Sequence, residues 1–239
     1  MKIFVLISLV IAGCSSEPKE PESAMDFLER SIAYHDPNGY WQDAEMKLIF
    51  TEIDATRLDL VREVSISNLK STFHYHQKDE EKELNYSLEK DSCRLLLNGS
   101  PEFSDEDRKD YRLTCERAEL LKNYYTYLYG LPMKLKDPGT IVHPEVVEEE
   151  FEGEVYNSIR VTYEEGVGGD TWYFYLDKDT YALRGYRFQH SLEEHDGEYI
   201  TLDSLVEYKG LRIPKTRSWY VNKTGAYLAT DELESIEEI

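Results

Sequence analysis

The chain has 239 residues, 41% of them hydrophobic, and its 27 basic and 48 acidic side chains give it a formal net charge of −21 at pH 7. Nucleic acids and anionic membrane surfaces are bound by patches of Lys and Arg, so this charge balance argues against both kinds of partner. The length and the apolar content suit one domain with its own core, and no repeat of solenoid period is present.

The first segment has the composition of an export signal. Lys2 precedes an apolar run over residues 3–12, which is shorter than the roughly 20 residues that a membrane-crossing helix needs. The order Ile11-Ala12-Gly13-Cys14 resembles the lipobox of bacterial lipoproteins, which implies that residues 1–13 are removed and that Cys14 is lipidated. A plain secretory leader with an incidental cysteine is the alternative. We therefore expect a lipid-anchored protein of the bacterial cell envelope, at the outer membrane on its periplasmic or surface face.

The predicted anchor is followed by a short tether. Residues 15–23 include two prolines and no apolar side chain, a composition typical of a flexible linker. Acyl chains on Cys14 would hold the protein at a membrane without an inserted helix, since each buried methylene contributes about 0.8 kcal/mol. The predicted organisation is a signal peptide over residues 1–13, a lipidated cysteine with its tether over residues 14–23, and one domain over residues 24–239.

The first predicted helix begins at Ser23. Asp26 follows Ser23 at the spacing of a capping box, and Asp36-Pro37-Asn38-Gly39 ends the helix with turn-forming residues. Between these two signals, apolar side chains share one helix face, namely Met25, Phe27, Leu28 and Ile32.

Residues 44–98 form five short segments in which apolar residues recur at every second position, which predicts strands with one buried face. His74 and His76 lie two residues apart on one of these strands and therefore share a face. Two histidines could ligate a metal ion, but the sequence offers no third ligand, so we favour a solvated face and predict no metal site.

Cys93 and Cys115 are the only cysteines after Cys14. An even pair in an exported chain predicts a disulfide. A redox or metal-binding pair is the alternative, but it lacks both a CxxC spacing and clustered histidines.

A second helix is predicted over Ser104–Tyr129. Ser104 and Asp107 have the spacing of a capping box, and Gly130 and Pro132 end the segment. The second half, residues 118–129, carries aromatic side chains on more than one side, so it needs cover on two sides. We interpret it as a lid across the open side of a sheet. An ordinary core helix, whose tyrosines only fill space, is the alternative.

From Val146 onward the pattern is again strand and turn. Apolar residues fall on odd positions and glutamates on even positions, which predicts one buried face and one solvated acidic face over residues 147–163. Calcium binding by these glutamates is the alternative, but the run has no Gly-centred loop to gather ligands around an ion. The odd positions are Val147, Phe151, Val155, Ile159, Val161 and Tyr163, and the even ones are Glu148, Glu150, Glu152 and Glu154.

Three later features refine the sheet. Residues 171–176 are apolar or aromatic on both faces, which predicts a central strand, and a shift of apolar parity predicts a bulge near Gly185. Pro214 cannot donate to a ladder, so we place it at an edge or a bulge. About ten strands with short connections favour an α+β fold, a curved antiparallel sheet forming a half-open barrel with two helices over its open side.

Several segments resemble known families. Trp172–Asp177, Thr180–Leu183 and Tyr208–Pro214 resemble the paired late strands of the lipoprotein-localisation carrier and receptor family, a half-open barrel with a helical lid around an apolar cavity. Ile32–Pro37, Arg112–Arg117 and Tyr127–Pro132 are similar to an uncharacterised family of bacterial lipoproteins without an assigned activity. The first resemblance implies a cavity, and neither one implies particular functional residues.

No GxSxG, HExxH or phosphate-loop motif is present, so we predict no catalytic residue, no enzyme activity and no cofactor. The leading hypothesis is a protein that binds an acyl chain or another apolar ligand between sheet and lid. The candidate ligand-binding residues are Tyr124, Tyr125, Leu128, Trp172, Phe174 and Phe188. A structural or assembly lipoprotein that docks an envelope protein, with no cavity, is the alternative, and a hydrolase ranks third.

Overall fold

The computed structural model describes residues 22–54, 60–79 and 81–239. The predicted signal peptide, Cys14 and most of the predicted tether lie outside the described residues, so the lipid anchor stays a prediction. Among the helices of the described residues, none combines the length and the hydropathy that crossing a membrane requires.

The described chain forms three α-helices, two short 3-10 helices and twelve strands. The α-helices are α1 (Ala24–His35), α2 (Asp105–Asp110) and α3 (Cys115–Gly130), and the 3-10 helices cover Tyr40–Asp43 and Met133–Lys136. The strands are β1 (Glu45–Asp54), β2 (Leu60–Ser67), β3 (Thr72–Lys78), β4 (Glu83–Glu89), β5 (Ser92–Leu97), β6 (Thr140–Phe151), β7 (Glu154–Tyr163), β8 (Thr171–Leu176), β9 (Leu183–Gln189), β10 (Glu198–Tyr208), β11 (Leu211–Val221) and β12 (Tyr227–Glu237).

All twelve strands belong to one antiparallel sheet in the order β5-β4-β3-β2-β1-β12-β11-β10-β9-β8-β7-β6. The sheet has β5 and β6 at its two edges and is not closed into a barrel. The predicted α+β class and the open antiparallel sheet are therefore confirmed. The predicted strand number is wrong, since the sheet has 12 strands rather than about ten.

The run of alternating residues before Tyr163 is a hairpin of two strands, and this changes which side chains share a face. Glu152 and Gly153 form a two-residue turn with φ of 52° and 84°, so Phe151 pairs directly with Glu154. Paired residues lie on the same face, so odd positions of β6 share a face with even positions of β7. The prediction of one apolar odd-numbered face is therefore wrong, and Val147 and Val155 are 57% and 48% exposed.

The helical predictions are confirmed at the first helix and wrong in part at the second. The Ser23 backbone N–H donates to the Asp26 carboxylate at 2.8 Å and the Ser23 hydroxyl accepts from the Asp26 N–H, which completes the capping box. The second predicted helix is two helices, because Arg112 has a φ of 53° and Thr114 caps a new helix by accepting from the Arg117 N–H. Leu113, fully buried at the break, fixes the chain there.

The helices lie on one face of the sheet, which we call the concave face. α1 contacts both β6 and β11, which four other strands separate in the sheet, so the sheet curves around this helix. α3 contacts β3, β4 and β5, and the predicted disulfide joins Cys93 of β5 to the first residue of the helix, Cys115. Farther along α3, the Tyr127 ring contacts Trp172 of β8, so the helix crosses the concave face.

Two of the remaining predictions for the later strands are confirmed, and the prediction of an edge or a bulge at Pro214 is wrong. Phe174, Tyr175 and Leu176 of β8 are fully buried although they alternate between the two faces, as expected of an interior strand. The register between β8 and β9 shifts next to Gly185, which confirms the bulge. Pro214 lies inside β11, where it pairs with Leu205 of β10, and the pairing of β11 with β12 begins only at Thr216.

Candidate functional site

A cleft of about 1100 Å³ lies between α3 and the concave face of the sheet and opens to solvent. Its sheet side is formed by β6 to β12 together with β1 and β2, and the loop over residues 167–170 borders it. The apolar and aromatic side chains that line it include Leu121, Tyr124, Tyr125, Leu128, Trp172, Tyr186, Phe188, Ile200, Trp219 and Leu228.

Five of the six predicted ligand-binding residues line this cleft. Tyr124, Tyr125 and Leu128 come from α3, whereas Trp172 and Phe188 come from paired positions on β8 and β9. Phe174 is fully buried and does not line the cleft, because it packs in the core next to Trp172 and Tyr186. The role of the five lining residues in binding stays a prediction.

The aromatic residues of α3 divide between the core and the cleft mouth. Tyr125 is buried against Phe50 of β1 and Tyr75 of β3, with ring centroids 5.6 and 5.7 Å apart, and this contact holds the middle of the helix on the sheet. Tyr124, one residue earlier, is 46% exposed at the cleft. The helix is therefore both a core helix and one wall of the cleft.

At one end of the cleft, a hydrogen bond between two tyrosines joins α3 to β7. The hydroxyls of Tyr127 on α3 and Tyr163 on β7 are 2.5 Å apart, and the Tyr127 ring makes an edge contact with Trp172 at 5.4 Å. Burial raises the pKa of Tyr163 to about 12 and that of Tyr127 well above its usual value. Both phenols therefore stay protonated at neutral pH, and one donates to the other.

Charged side chains from four neighbouring strands lie beneath α3. We call Arg62 of β2, Glu52 of β1, Asp231 of β12 and Arg217 of β11 the ionic row. Arg62 binds the Glu52 carboxylate at 2.5 Å and donates to the Tyr125 hydroxyl at 3.1 Å. Asp231 pairs in register with Glu52 on one side and with Arg217 on the other.

Arg217 is 1% exposed and connects the sheet to α3. Its guanidinium carbon lies 4.0 Å from the centroid of the Tyr129 ring, the geometry of a cation–π contact. The same group donates to the backbone carbonyls of Leu128 at 3.3 Å and Pro214 at 3.0 Å. A positive charge near the C-terminal end of α3 also interacts favourably with the helix dipole.

Asp231 is a buried carboxyl group at the cleft, with 3% of the residue exposed. Among the described residues, none makes a hydrogen bond or an ion pair with its carboxylate. Burial, with the nearby charge of Glu52, raises the pKa of Asp231 to about 7, although Arg62 and Arg217 act in the opposite direction. Burial removes most of the hydrogen bonds that water would supply, so an unpartnered carboxylate at the cleft is a candidate binding group.

The ionic row was not predicted from the sequence, although the sequence contains a pattern that indicates it. Glu52 continues the buried parity of Leu48 and Phe50, and Asp231 shares the parity of Leu233. A charged residue at a position where its strand neighbours on the same face are apolar predicts an inward-pointing charge. Pairing of the four strands then brings the charges together.

The two histidines considered as metal ligands, His74 and His76, contact neighbouring side chains of the sheet instead. His74 contacts the Ser87 hydroxyl at 3.0 Å, and His76 contacts the Glu83 carboxylate at 3.2 Å. Within residues 22–54, 60–79 and 81–239, no group of three His, Cys, Asp or Glu side chains has the arrangement of a metal site.

Comparison with known proteins identifies a family and a fold. Residues 1–238 match the sequence profile of a family of unknown function, DUF6503. No curated protein sequence matches the chain. The crystal structure of a LolA superfamily protein from Nitrosomonas europaea is 10% identical and covers 92% of this chain and 94% of its own, with a TM-score of 0.51.

Two further crystal structures are similar at lower TM-scores. A domain described as an outer membrane lipoprotein-sorting protein, from Vibrio parahaemolyticus, has 11% identity, covers 88% of this chain and 91% of its own, and has a TM-score of 0.48. A DUF1329 family protein from Desulfovibrio piger has 7% identity, coverages of 91% and 94%, and a TM-score of 0.46. The resemblances to an uncharacterised family and to the lipoprotein-localisation fold are confirmed by the DUF6503 match and the Nitrosomonas structure.

Proposed function

We propose that this chain, which belongs to the DUF6503 family of unknown function, is a lipid-anchored protein of the bacterial envelope that binds an acyl chain or another apolar ligand. The ligand lies in the cleft between α3 and the concave face. The observation that carries this proposal is the cleft of about 1100 Å³ with its aromatic lining. Ligand sites are typically concave and mostly apolar, with a small number of polar groups, and this cleft has both features.

The apolar wall of the cleft is continuous across several strands. Trp172 and Phe188 are in contact with ring centroids 4.9 Å apart, and Ile200 and Trp219 continue the wall on β10 and β11. An apolar chain placed there would lose contact with water along its length, which contributes roughly 25 cal/mol per Å² of buried apolar surface. The likeness to a LolA superfamily protein supports the fold and adds no functional residue.

The proposed activity is binding without catalysis. The two cysteines of the described chain are joined in a disulfide, and none of the described residues that line the cleft is Ser or Cys. A hydrolase that forms a covalent intermediate through either residue type would need such a side chain beside a general base. We also propose that the protein has no cofactor and no nucleic-acid partner, in line with its net charge of −21.

Native mass spectrometry of residues 22–239, purified without detergent, tests the proposal. These residues contain every described helix and strand. We expect a stoichiometric apolar adduct that organic extraction releases, and displacement of a fluorescent fatty acid from the emptied protein. Trp172→Glu places a charge in the cleft and should abolish both signals. Tyr227→Glu is the matched control, because Tyr227 is 41% exposed and does not line the cleft.

An apo mass together with no binding of the fluorescent fatty acid would refute the cleft as a ligand site. If both variants lose binding, or if circular dichroism shows that Trp172→Glu does not fold, the smaller change Trp172→Ala replaces it in the test. If Trp172→Ala folds and binds as the wild type does, the wall formed by Trp172 is not part of the site.

Docking of an envelope protein is the second candidate function, and one observation favours it. On the opposite, convex face, rings from neighbouring strands form a row: Tyr199 and Tyr220 stack at 4.9 Å, and Tyr220 contacts Tyr227 at 5.7 Å. Aromatic side chains are enriched at protein interfaces. Capture of a single envelope protein by the wild type and not by Tyr220→Ala, with no lipid adduct, would favour this function.

A further inference from the structure

The cleft has two chemically different parts. Trp172, Phe188, Ile200 and Trp219 form its apolar wall, whereas Glu52, Arg62 and Asp231 form a polar region beneath α3. A second polar group, the ion pair of His190 and Asp170, lies next to Phe188, and there the carboxylate already has a partner. The wall begins on β8 and the polar region is centred on β12, with three strands between them. Four strand spacings correspond to about 19 Å along the sheet. A ligand that extends from the wall to β12 therefore meets hydrocarbon-like surface first and the charges around Asp231 at its far end.

The polar region offers a ligand one acceptor, the Asp231 carboxylate, which lines the cleft. The Asp231 carboxylate accepts no hydrogen bond from the described residues. The hydroxyls of Tyr129 and Tyr186 and the Nε of Arg217 are buried beside it, and the Arg217 side chain is the polar neighbour of both phenols. Burial raises the pKa of both phenols, the charge of Arg217 opposes this effect, and the charge of Asp231 adds to it, so these groups interact. A donor bound in the cleft would supply the hydrogen bond that the Asp231 carboxylate lacks.

The charges around Asp231 restrict which polar group fits. Glu52 faces Asp231 across the β1–β12 pairing, so two carboxylates border the same space. Arg62 is already engaged by Glu52 and Tyr125, and Arg217 by two backbone carbonyls and the Tyr129 ring. The Nε of each arginine has no such partner, but it is buried and not accessible from the cleft. An entering carboxylate would therefore meet acceptors whose neutralising cations are already engaged. A hydroxyl or an ammonium group would donate to Asp231 instead.

We propose that the ligand is an amphiphile whose head group, a hydroxyl or an ammonium, donates a hydrogen bond to Asp231 while its alkyl tail lies along Trp172 and Phe188. This inference rests on the proposed function and names its ligand class. Asp231 acts as the acceptor that selects the head group.

The test compares three ligands that share one dodecyl-length tail, namely dodecylamine, monododecanoylglycerol and dodecanoate. For each ligand we would measure displacement of the neutral dye N-phenyl-1-naphthylamine from the protein at pH 8 and moderate salt. The ligand concentration stays below the micellar concentration of that ligand. We expect dodecylamine and the uncharged glycerol ester to displace the dye at concentrations about tenfold lower than dodecanoate, a difference of about 1.4 kcal/mol. Asp231→Asn should bring the three ligands within about threefold of each other, because an amide donates to a carboxylate as well.

Asp203→Asn is the matched control. Asp203 is exposed on β10 and does not line the cleft, so its replacement removes the same charge without changing the site. The glycerol ester separates head-group recognition from attraction of a cation to an acidic protein, since it carries no charge.

The outcomes separate three claims: the head-group preference, the role of Asp231 and the proposed function. Dodecanoate binding as tightly as the other two ligands would overturn the head-group proposal and leave the apolar site standing. An unchanged ranking in Asp231→Asn, with Asp203→Asn also unchanged, would overturn the assignment to Asp231. Failure of the dye and of all three ligands to bind would overturn the proposed function itself.

Discussion

The Nε2 atom of His35 at the end of α1 accepts a hydrogen bond of 2.9 Å from the backbone N–H of Leu183 in β9. The Nδ1 atom of the same ring lies 2.6 Å from the carbonyl oxygen of Arg212 in β11. Since Nε2 accepts, Nδ1 carries the proton and donates, so the ring is neutral. Through this one buried side chain, α1 is bonded to two strands of the sheet.

His35 should make the protein sensitive to acid. Burial lowers the pKa of His35 to about 4, whereas the unfolded chain binds this proton near pH 6.5. Between those values only the unfolded state is protonated, so stability present at neutral pH is lost as the pH falls from 6.5 towards 4, by up to about 3 kcal/mol. Urea unfolding of wild type and His35→Gln at pH 7 and pH 4.5 measures this.

We expect His35→Gln to be much less stable than the wild type at pH 7 and closer to it at pH 4.5. His195→Gln is the control, because His195 is exposed and should change neither value. A gap between wild type and His35→Gln that stays the same at both pH values would contradict the prediction.

Asp231 should have the opposite pH dependence. Its pKa is raised to about 7, so between pH 4 and pH 7 the folded state holds a proton that the unfolded state has lost. Stability should therefore fall as the pH rises through this range, by up to about 4 kcal/mol. The titratable and charged groups that act on Asp231 or are affected by it are Glu52 from β1, Arg62 from β2, Arg217 from β11, Tyr124, Tyr125 and Tyr129 from α3 and Tyr186 from β9.

Asp231→Asn removes this titration and keeps the side-chain volume. Its free energy of unfolding relative to the wild type should increase between pH 5 and pH 8, as measured by urea unfolding of both proteins. Asp203→Asn should follow the wild type throughout, since that side chain is exposed. Parallel curves for wild type and Asp231→Asn would show that Asp231 is not buried as a neutral acid.

Local signals in the sequence predicted local structure well, and pairing between strands decided the rest. The capping box of Ser23 and Asp26 and the bulge beside Gly185 depend on residues close in sequence, and both are confirmed. The turn at Glu152 and Gly153 reverses which parity faces the core, so counting odd and even positions through it failed. The site shows the same division, because the parity of Glu52 and Asp231 is visible in each strand while their juxtaposition depends on β1 pairing with β12.

Gly185 should tolerate no side chain. A Cβ atom there would lie 2.8 Å from the carbonyl oxygen of Ile200 and would collide with the Phe151 ring. Phe151 cannot withdraw freely, because it stacks on Tyr175 with ring centroids 4.1 Å apart. Gly185→Ala should therefore cost about 1–3 kcal/mol of unfolding free energy, as overpacking does elsewhere.

Gly169→Ala is the control for this change, since a Cβ at Gly169 meets no atom within 4 Å. Thermal unfolding should show a clear loss for Gly185→Ala and little change for Gly169→Ala. Adding Phe151→Leu to Gly185→Ala should recover part of the loss if the ring is the obstacle. Equal melting temperatures for the two single alanine variants would refute the close packing of Gly185.

The disulfide should stabilise the start of α3 as well as the whole fold. Cys93 and Cys115 are 22 residues apart, and their bond joins edge strand β5 to the first residue of the helix. Replacing both with Ser should lower the free energy of unfolding by about 3 kcal/mol, mainly because the unfolded chain regains freedom. Because Tyr125 and Arg217 still hold the later turns of α3 on the sheet, the first turns should open most. Hydrogen exchange should therefore quicken over residues 115–121 more than in α1, and a uniform change in both helices would contradict a local role.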